Sequence, residues 1–567
     1  MSHLKAIHIP FSALCKRCSP QSTTIFLLVT LLLAGCNGGS GDSGNPNTEN
    51  SSDNLGNYLF YSGSQVSTGK LFAVDPEMPS APIVIEAGND IVGAGDDFML
   101  EIYSFNKGNY DSRTELVSDY ILDTLVYAKT DGRFYKVSAS RGGDLMPVQI
   151  SNEADADQFC IGGIDYVFLA EDFSDLNKSQ LVYSLPGADG ECWTSSDNIW
   201  KMIRLGMSPS ETPIDAFHPL VNIKNLDSDA SLSGWLVYDA GSLRRCDENF
   251  LNCSGSLADE VILAGVEYSL GRNDYLLEIN KQIFVYNGDT NTLSNAVFTL
   301  PQGEYIYYYA VDENNFYFVY LNTIYRAPID GSSEASVIGE EVLGDAQTIH
   351  DLSVMKNRLV YIKSAATGNV AEIKALDKAG GTPVTLASMD GAADANIIAQ
   401  KDLQIFYFQT LDESQEYEYR PLNAGIMDED GNIQFEAPGA AWIGGVLSTE
   451  LDFGKSSHEN EQFSKFILGE LSNGEFSGMS LSAFEVASGM QLIDLGFVPN
   501  IQDFNEYFCN SYSQDNMLCE AYLGLSPGPE PSTESYQSDI FYLNASINGS
   551  LVRVTDTPEI SESIIFP

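Results

Sequence analysis

The sequence predicts an all-β chain whose body is a single ring of repeated antiparallel sheets. Three observations carry that expectation. One phrase recurs along the body: an alternating apolar strand, a short polar turn, a second strand, then a Gly or Pro turn and a third strand. Hairpin dipeptides stand where such a phrase needs them, as at Asp131-Gly132 and Asn548-Gly549. Apolar residues at helical spacing are nearly absent, the best candidate being a short piece near "SLSAFEVASG". Repetition of a three- or four-stranded unit over about 500 residues is the signature of a β-propeller.

From the N-terminus, the first element is a targeting segment, residues 1–35. Lys5, Lys16 and Arg17, with no acidic residue among them, precede "TTIFLLVTLLLAG". Its apolar core of about ten residues is too short for a hydrocarbon layer of ~30 Å, as expected of a secretory signal. The end of this region, Leu33-Ala34-Gly35-Cys36, resembles the bacterial lipobox. The resemblance implies a diacylglyceryl group on the Cys36 sulfur, cleavage that makes Cys36 the first mature residue, and a further acyl chain on the new amino terminus. Burying several acyl chains at ~0.8 kcal/mol per CH₂ makes a stable anchor. In the same comparison Asp after the cysteine retains a lipoprotein in the inner membrane, so Asn37 implies the outer membrane.

Residues 36–56 form the second element. "NGGSGDSGNPNTENSSDNLG" has no apolar residue before Leu55, so it cannot bury enough surface to offset its ordering entropy and reads as a flexible tether.

The body, residues 57–567, carries the repeats. "YLFYSGSQVSTGKLFAVDPEMPSAPIVIE" is one instance and "TLVYAKTDGRFYKVSASRGGDLMPVQI" another. "NFYFVYLNTIYRAPIDGSSEASVI", "RLVYIKSAATGNVAEIKALDKAGGTPVTL" and "DIFYLNASINGSLVRVTDT" repeat the pattern, with weaker copies beginning at "SQLVYSL", "GWLVYDAG" and "LQIFYFQ". In the recurring second-strand phrases "KLFAVD", "RFYKVS", "TIYRAPIDG", "EIKALDKAGG" and "SLVRVTD" the chain resembles the TolB-like propellers of bacterial envelopes, which implies a propeller fold and not a particular activity. Dividing the 511 residues from Asn57 to Pro567 by seven or eight gives about 73 or 64 per blade, so seven or eight blades with long loops are expected. "NYLFYS" stands alone at the start and "SESIIFP" at the end, and an open ring would leave two bare edges; the two ends are expected to meet in one blade.

Without residues 1–35 the chain holds 26 basic against 79 acidic residues, a net charge of −53, which argues against nucleic acid or an anionic lipid surface as partner. The charges are dispersed and 44% of the chain is hydrophobic, so the acidity belongs to a folded surface. Six cysteines remain in the body, an even number in an oxidising compartment. Sequence order favours Cys160 with Cys192, Cys246 with Cys253 and Cys509 with Cys519, among the 15 pairings that six cysteines allow.

Recognisable chemistry is sparse. The sequence has no Gly-x-Ser-x-Gly elbow, no Walker loop and no His-Glu-x-x-His helix, and only His218, His350 and His458 lie beyond the signal. Two acidic loops have oxygen spacings that suit Ca²⁺. "DEDGN", with Asp428, Asp430 and Asn432, begins like a calcium loop but has Ile433 and Gly439 where a glycine and a bidentate glutamate belong, and reads as a plain turn. "PGADGECWTSSDN" places Asp189 and Asp197 around the expected Cys160 to Cys192 staple, a candidate Ca²⁺ site set against a merely stapled turn. Arg244 and Arg245 before "CDENFLNC" make a basic spot that is either a binding epitope or a solvated hairpin end. "EYIYYYAVDENNFYFVY" is either packing between blades or a carbohydrate platform. The expectation is an outer-membrane-anchored propeller that acts as a binding or scaffold module for an envelope protein or glycan. The alternative is a propeller enzyme that hydrolyses glycan or peptide with a carboxylate pair.

Overall fold

The computed structural model describes most of residues 57–565; the longest stretches left outside are 153–166, 187–198, 224–233 and 453–462, and residues 1–56 also lie outside. The described chain is almost wholly strand, its single helical element being the one-turn helix Leu176–Lys178. Among the described residues no helix is long and apolar enough to cross a membrane.

The strands gather into ten antiparallel sheets, numbered here along the chain. Sheet 1 holds Leu59–Gln65, Thr68–Val74 and Ile83–Ala94, sheet 2 runs from Ile102 to Gln149, sheet 3 from Val167 to Ile214 and sheet 4 from His218 to Asp247. Sheets 5 to 10 begin at Ala264, Tyr309, Gln347, Ala392, Ala440 and Tyr507. Most are four-stranded meanders in which each strand pairs with the next. The described residues form ten sheets, where seven or eight blades were expected. The units are shorter than the division assumed, about 51 residues each over the 511 of the body, because the weak copies are full sheets.

Each sheet packs face to face on the next. In sheet 3, Leu181 and Tyr183 lie in one cluster with Phe105 and Val126 of sheet 2, while the intervening Val182 packs with Trp235 and Val237 of sheet 4. In sheet 6, Phe316 and Phe318 meet sheet 5 and Tyr317 and Val319 meet sheet 7. In sheet 7, Leu359 and Tyr361 face back to sheet 6, and Val360 and Ile362 face on to sheet 8. Phe435 stacks on Phe484 between sheets 8 and 9, with ring centroids 4.4 Å apart. Both faces of a second strand are thus buried, which explains runs such as "NFYFVY" that are apolar at nearly every position.

The circuit closes. Leu518, Ile540 and Tyr542 of sheet 10 share one core with Leu59, Phe60 and Tyr61 of sheet 1 and Leu125 and Tyr127 of sheet 2. The final strand, Ser561–Ile564, pairs with the first, from Tyr61↔Ile564 to Ser64↔Ser561, and so completes sheet 1. The ends meet in one sheet as expected. First strands of successive sheets approach one another, as Gln347–Met355 does Ala392–Gln400 and Ala440–Leu447 does Tyr507–Ser513, so they form the inside of the circuit. Gly444 allows that approach, since a Cβ there would sit 2.9 Å from the Cys509 carbonyl oxygen.

Candidate binding face

In a meander the turns alternate between two edges, so the first-to-second and third-to-fourth turns of every sheet lie on the same edge. That edge carries a recurring device. The third strand ends in Asp or Asn whose side chain accepts a backbone N–H from two or three residues ahead, fixing the turn. Asp75 accepts from Glu77, Asp330 from Ser332, Asp377 from Ala379, and Asn544 from Ser546, all at 2.7 to 3.0 Å. Asn287 does the same with Thr290.

Two of these turns were candidate sites. Asp428 accepts from the backbone N–H groups of Asp430 and Asn432 and from the side chains of Asn432 and Gln434. Burial pulls its carboxyl upward, and these hydrogen bonds outweigh that and hold it below the usual range. With its lone pairs so occupied, the "DEDGN" segment is a capped turn. Asp247, between the two disulfide-bonded cysteines, is likewise filled by Asn249, Leu251 and Asn252.

Basic residues stitch neighbouring turns together. Arg141 of sheet 2 reaches Asp75 at 3.0 Å and Glu77 at 3.1 Å in sheet 1. Lys378 of sheet 7 meets Asp312 of sheet 6 at 3.0 Å, and Arg358 of sheet 7 bonds the Glu429 carbonyl of sheet 8. Lys465 of sheet 9 pairs with Asp515 of sheet 10 at 2.8 Å. Burial raises the Asp312 carboxyl, and donors from Asn314, Lys378, Tyr317 and Asn315 more than reverse this, leaving it below its ordinary value. The basic spot at Arg244 and Arg245 is part of the same economy: Arg245 is buried and donates to the Gly288 carbonyl of sheet 5, so its charge is internal and not a surface epitope.

A second contact repeats deeper between sheets. Tyr127 donates to Glu86 at 2.9 Å, and Lys129 reaches the same carboxylate at 3.0 Å. Tyr361 donates to Glu341 at 2.5 Å, with Lys374 at 2.9 Å and Lys363 at 3.7 Å. In each case the acid comes from the end of one sheet and the Tyr-x-Lys pair from the second strand of the next. Burial, and then the neighbouring carboxylate, push both tyrosine hydroxyls far above their ordinary value. The sequence signal was present as "LVYAK" and "LVYIK", and it went unread because nothing local names the partner acid.

At the closing strand, Ser538 of sheet 10 accepts from the Glu562 N–H at 2.7 Å and donates to the Glu562 carbonyl. Glu520 accepts from the Ile564 N–H at 3.2 Å. These buried groups hold the last strand from the side opposite its pairing partner.

Cys246 and Cys253 are disulfide-bonded, as are Cys509 and Cys519, with Cα atoms 3.9 and 4.0 Å apart. Cys36, Cys160, Cys192, Asp189, Asp197 and His458 lie outside the described residues. Among the described residues no group of three or more His, Cys, Asp or Glu is placed to hold a metal ion. The aromatic run near residue 316 is packing: Phe298 of sheet 5 lies 5.0 Å from Phe318 and from Tyr325.

No family model matches the chain, and no curated protein does. Among solved structures, an oligogalacturonate lyase from Vibrio parahaemolyticus is 12% identical, over 49% of this chain and 74% of that one, with a TM-score of 0.29. A puromycin-hydrolysing peptidase from Mycobacterium tuberculosis is 13% identical over 69% of this chain and 53% of its own, with a TM-score of 0.29. A eukaryotic initiation factor is 10% identical over 78% and 96%, with a TM-score of 0.39. At that level of similarity none of their chemistry transfers to this chain.

Proposed function

We propose that the protein is a ten-bladed, TolB-like β-propeller, one blade per sheet, tethered to the outer membrane through acylated Cys36 and acting as a binding or scaffold module for an envelope protein or glycan. The observation that supports this reading most is where the body begins and ends. Asn57 bonds the Leu122 carbonyl at 2.7 Å, Tyr58 bonds the Ala139 carbonyl, and Ile565 bonds the Phe60 carbonyl, all at one end of sheet 1. A flexible tether leaving there lets the ring stand off the membrane and turn, so that either edge is open to a partner. A rigid closed ring on a flexible tether suits capture better than turnover, and the acidic surface favours a neutral or cationic partner.

The test has two steps. Metabolic labelling with an alkyne fatty acid should tag the protein and fail to tag Cys36→Ala; a tag that survives the substitution removes the anchor. Crosslinking in intact envelopes, with and without chelator, should then capture a specific partner. If instead the purified body turned over a glycan library and lost that activity on changing one acidic pair, the binding role would have to be given up.

A further inference from the structure

The first two strands of sheet 2, Ile102–Asp111 and Leu116–Ala128, pair along their whole length, from Ile102↔Tyr127 to Asp111↔Leu116. The third strand, Phe134–Ser138, pairs with Thr124 to Ala128, and just beyond it the Ala139 N–H bonds the Asp123 carbonyl. Leu122 is buried in the core at the base of the hairpin, so residues 116–121 extend past the third strand by roughly 20 Å, at ~3.3 Å per residue. They project from the edge that carries the capped turns and the ends of the body, and Asn57 rests on Leu122 at the base of the projection.

The tip of this hairpin takes a partner from elsewhere in the ring. Leu451 pairs with Val117 and Asp452 with Leu116. Leu451–Asp452 belongs to the excursion between the first two strands of sheet 9, Ala440–Leu447 and Phe463–Ser472. Sheets 9 and 2 are not neighbours: sheets 10 and 1 stand between them. Those two sheets flank the one place where the circuit is closed by non-covalent contacts alone, the docking of Ser561–Ile564.

We propose that the pairing of Leu451–Asp452 with Leu116–Val117 is a clasp laid across this seam, which ties sheet 9 to sheet 2 and slows release of the closing strand. It rests on the ring reading above and not on the lipid anchor. A seam held by four strand residues and by Ser538 and Glu520 can open at one place only, and a link that spans it acts in parallel with those contacts. The clasp ladder is two residue pairs long, short enough to open without unfolding either sheet.

The test uses the full body in three forms: native, Leu451→Pro, and the Val117→Cys, Leu451→Cys pair, oxidised or reduced. Oxidation should join the two new cysteines, seen by non-reducing peptide mapping. Amide exchange at residues 561–564 and 59–65 should be roughly tenfold faster in Leu451→Pro, as loss of one or two ladder hydrogen bonds implies, and slower in the oxidised pair than in the reduced one. Exchange at Arg358–Ala365, across the ring, should stay as in the native chain. Failure to crosslink, or exchange at the seam that is indifferent to both changes, overturns the clasp. If Leu451→Pro accelerates exchange everywhere, sheet 9 has been damaged, and the oxidised against reduced comparison decides. Exchange at 561–564 as fast as in an unfolded chain, already in the native protein, would instead refute the ring.

Discussion

Glu341 shows what a single buried side chain does in this protein. Its carboxylate receives Tyr361 and Lys374 from the next sheet, in a place where side-chain exposure is 5% for the acid and 12% for the lysine. Glu341→Ala would leave Lys374 without its counter-charge while Lys363 keeps Glu372 at 3.8 Å, and the expected cost is about 3 kcal/mol. Tyr361→Phe removes one hydrogen bond and should cost about 1 kcal/mol. Thermal unfolding of both variants and their double mutant checks this, and additive effects would deny the coupling. Asp312 supplies the pH dependence. Its carboxyl is held below its ordinary value, so its contribution is complete above the unfolded value of about 3.9 and is lost as pH falls through the folded value. Denaturation midpoints between pH 3 and 7 should fall in acid, and should fall less steeply in Asp312→Asn.

At the scale of the element, the second strands carry the fold. They are buried on both faces, and the two disulfides lie in or next to them. Cys509 and Cys519 are directly opposed in sheet 10, and Cys246 and Cys253 close the end of the third strand of sheet 4. Each closes a loop of fewer than about a dozen residues and should contribute roughly 2 to 3 kcal/mol. Non-reducing peptide mapping should recover both pairs, and Cys509→Ala with Cys519→Ala should lower the unfolding midpoint more than a surface pair does. The outermost strands face another problem, an open edge. Val148–Gln149 and Val384–Asp390 enter through proline, Pro147 and Pro383, as Ile83–Ala94 of sheet 1 does through Pro82, and proline cannot donate to a foreign strand. Their exposed Val84, Val148 and Val384 therefore sit on edges poorly suited to further pairing.

For the whole molecule the decisive contact is the one between chain ends. Ser538→Ala removes both side-chain bonds to Glu562 and leaves a buried backbone pair without its partner, a loss of about 1 to 3 kcal/mol. Deleting residues 561–567 goes further, baring the strand Leu59–Gln65 as an edge with apolar neighbours. Size-exclusion chromatography should then find dimers or larger species; a monodisperse monomer would show that closure is dispensable.

The local properties were legible in the sequence because they depend on near neighbours. Strand after strand announced itself through runs of Tyr, Phe, Val and Ile, the turns through Asp-Gly and Asn-Gly, and two disulfide pairs through short spacing, since each is settled within about ten residues. The meeting of the ends was legible too, from the two unpaired terminal strands. The number of sheets was not, because a unit that departs from the pattern, such as the one containing "GWLVYDAG", packs as well as one that keeps it once its neighbours cover both faces. Arg245 read as a surface charge because sequence cannot show that the Gly288 carbonyl lies beside it, 43 residues away. The same limit hid the partners of Tyr127 and Tyr361, the grip of Ser538 on Glu562, and the reach of Leu451 to Val117. Sequence by itself determined strands, turns and the phrase that repeats; only the tertiary structure decided which sheets meet and which charges they enclose, because those contacts join residues from tens to hundreds of positions apart.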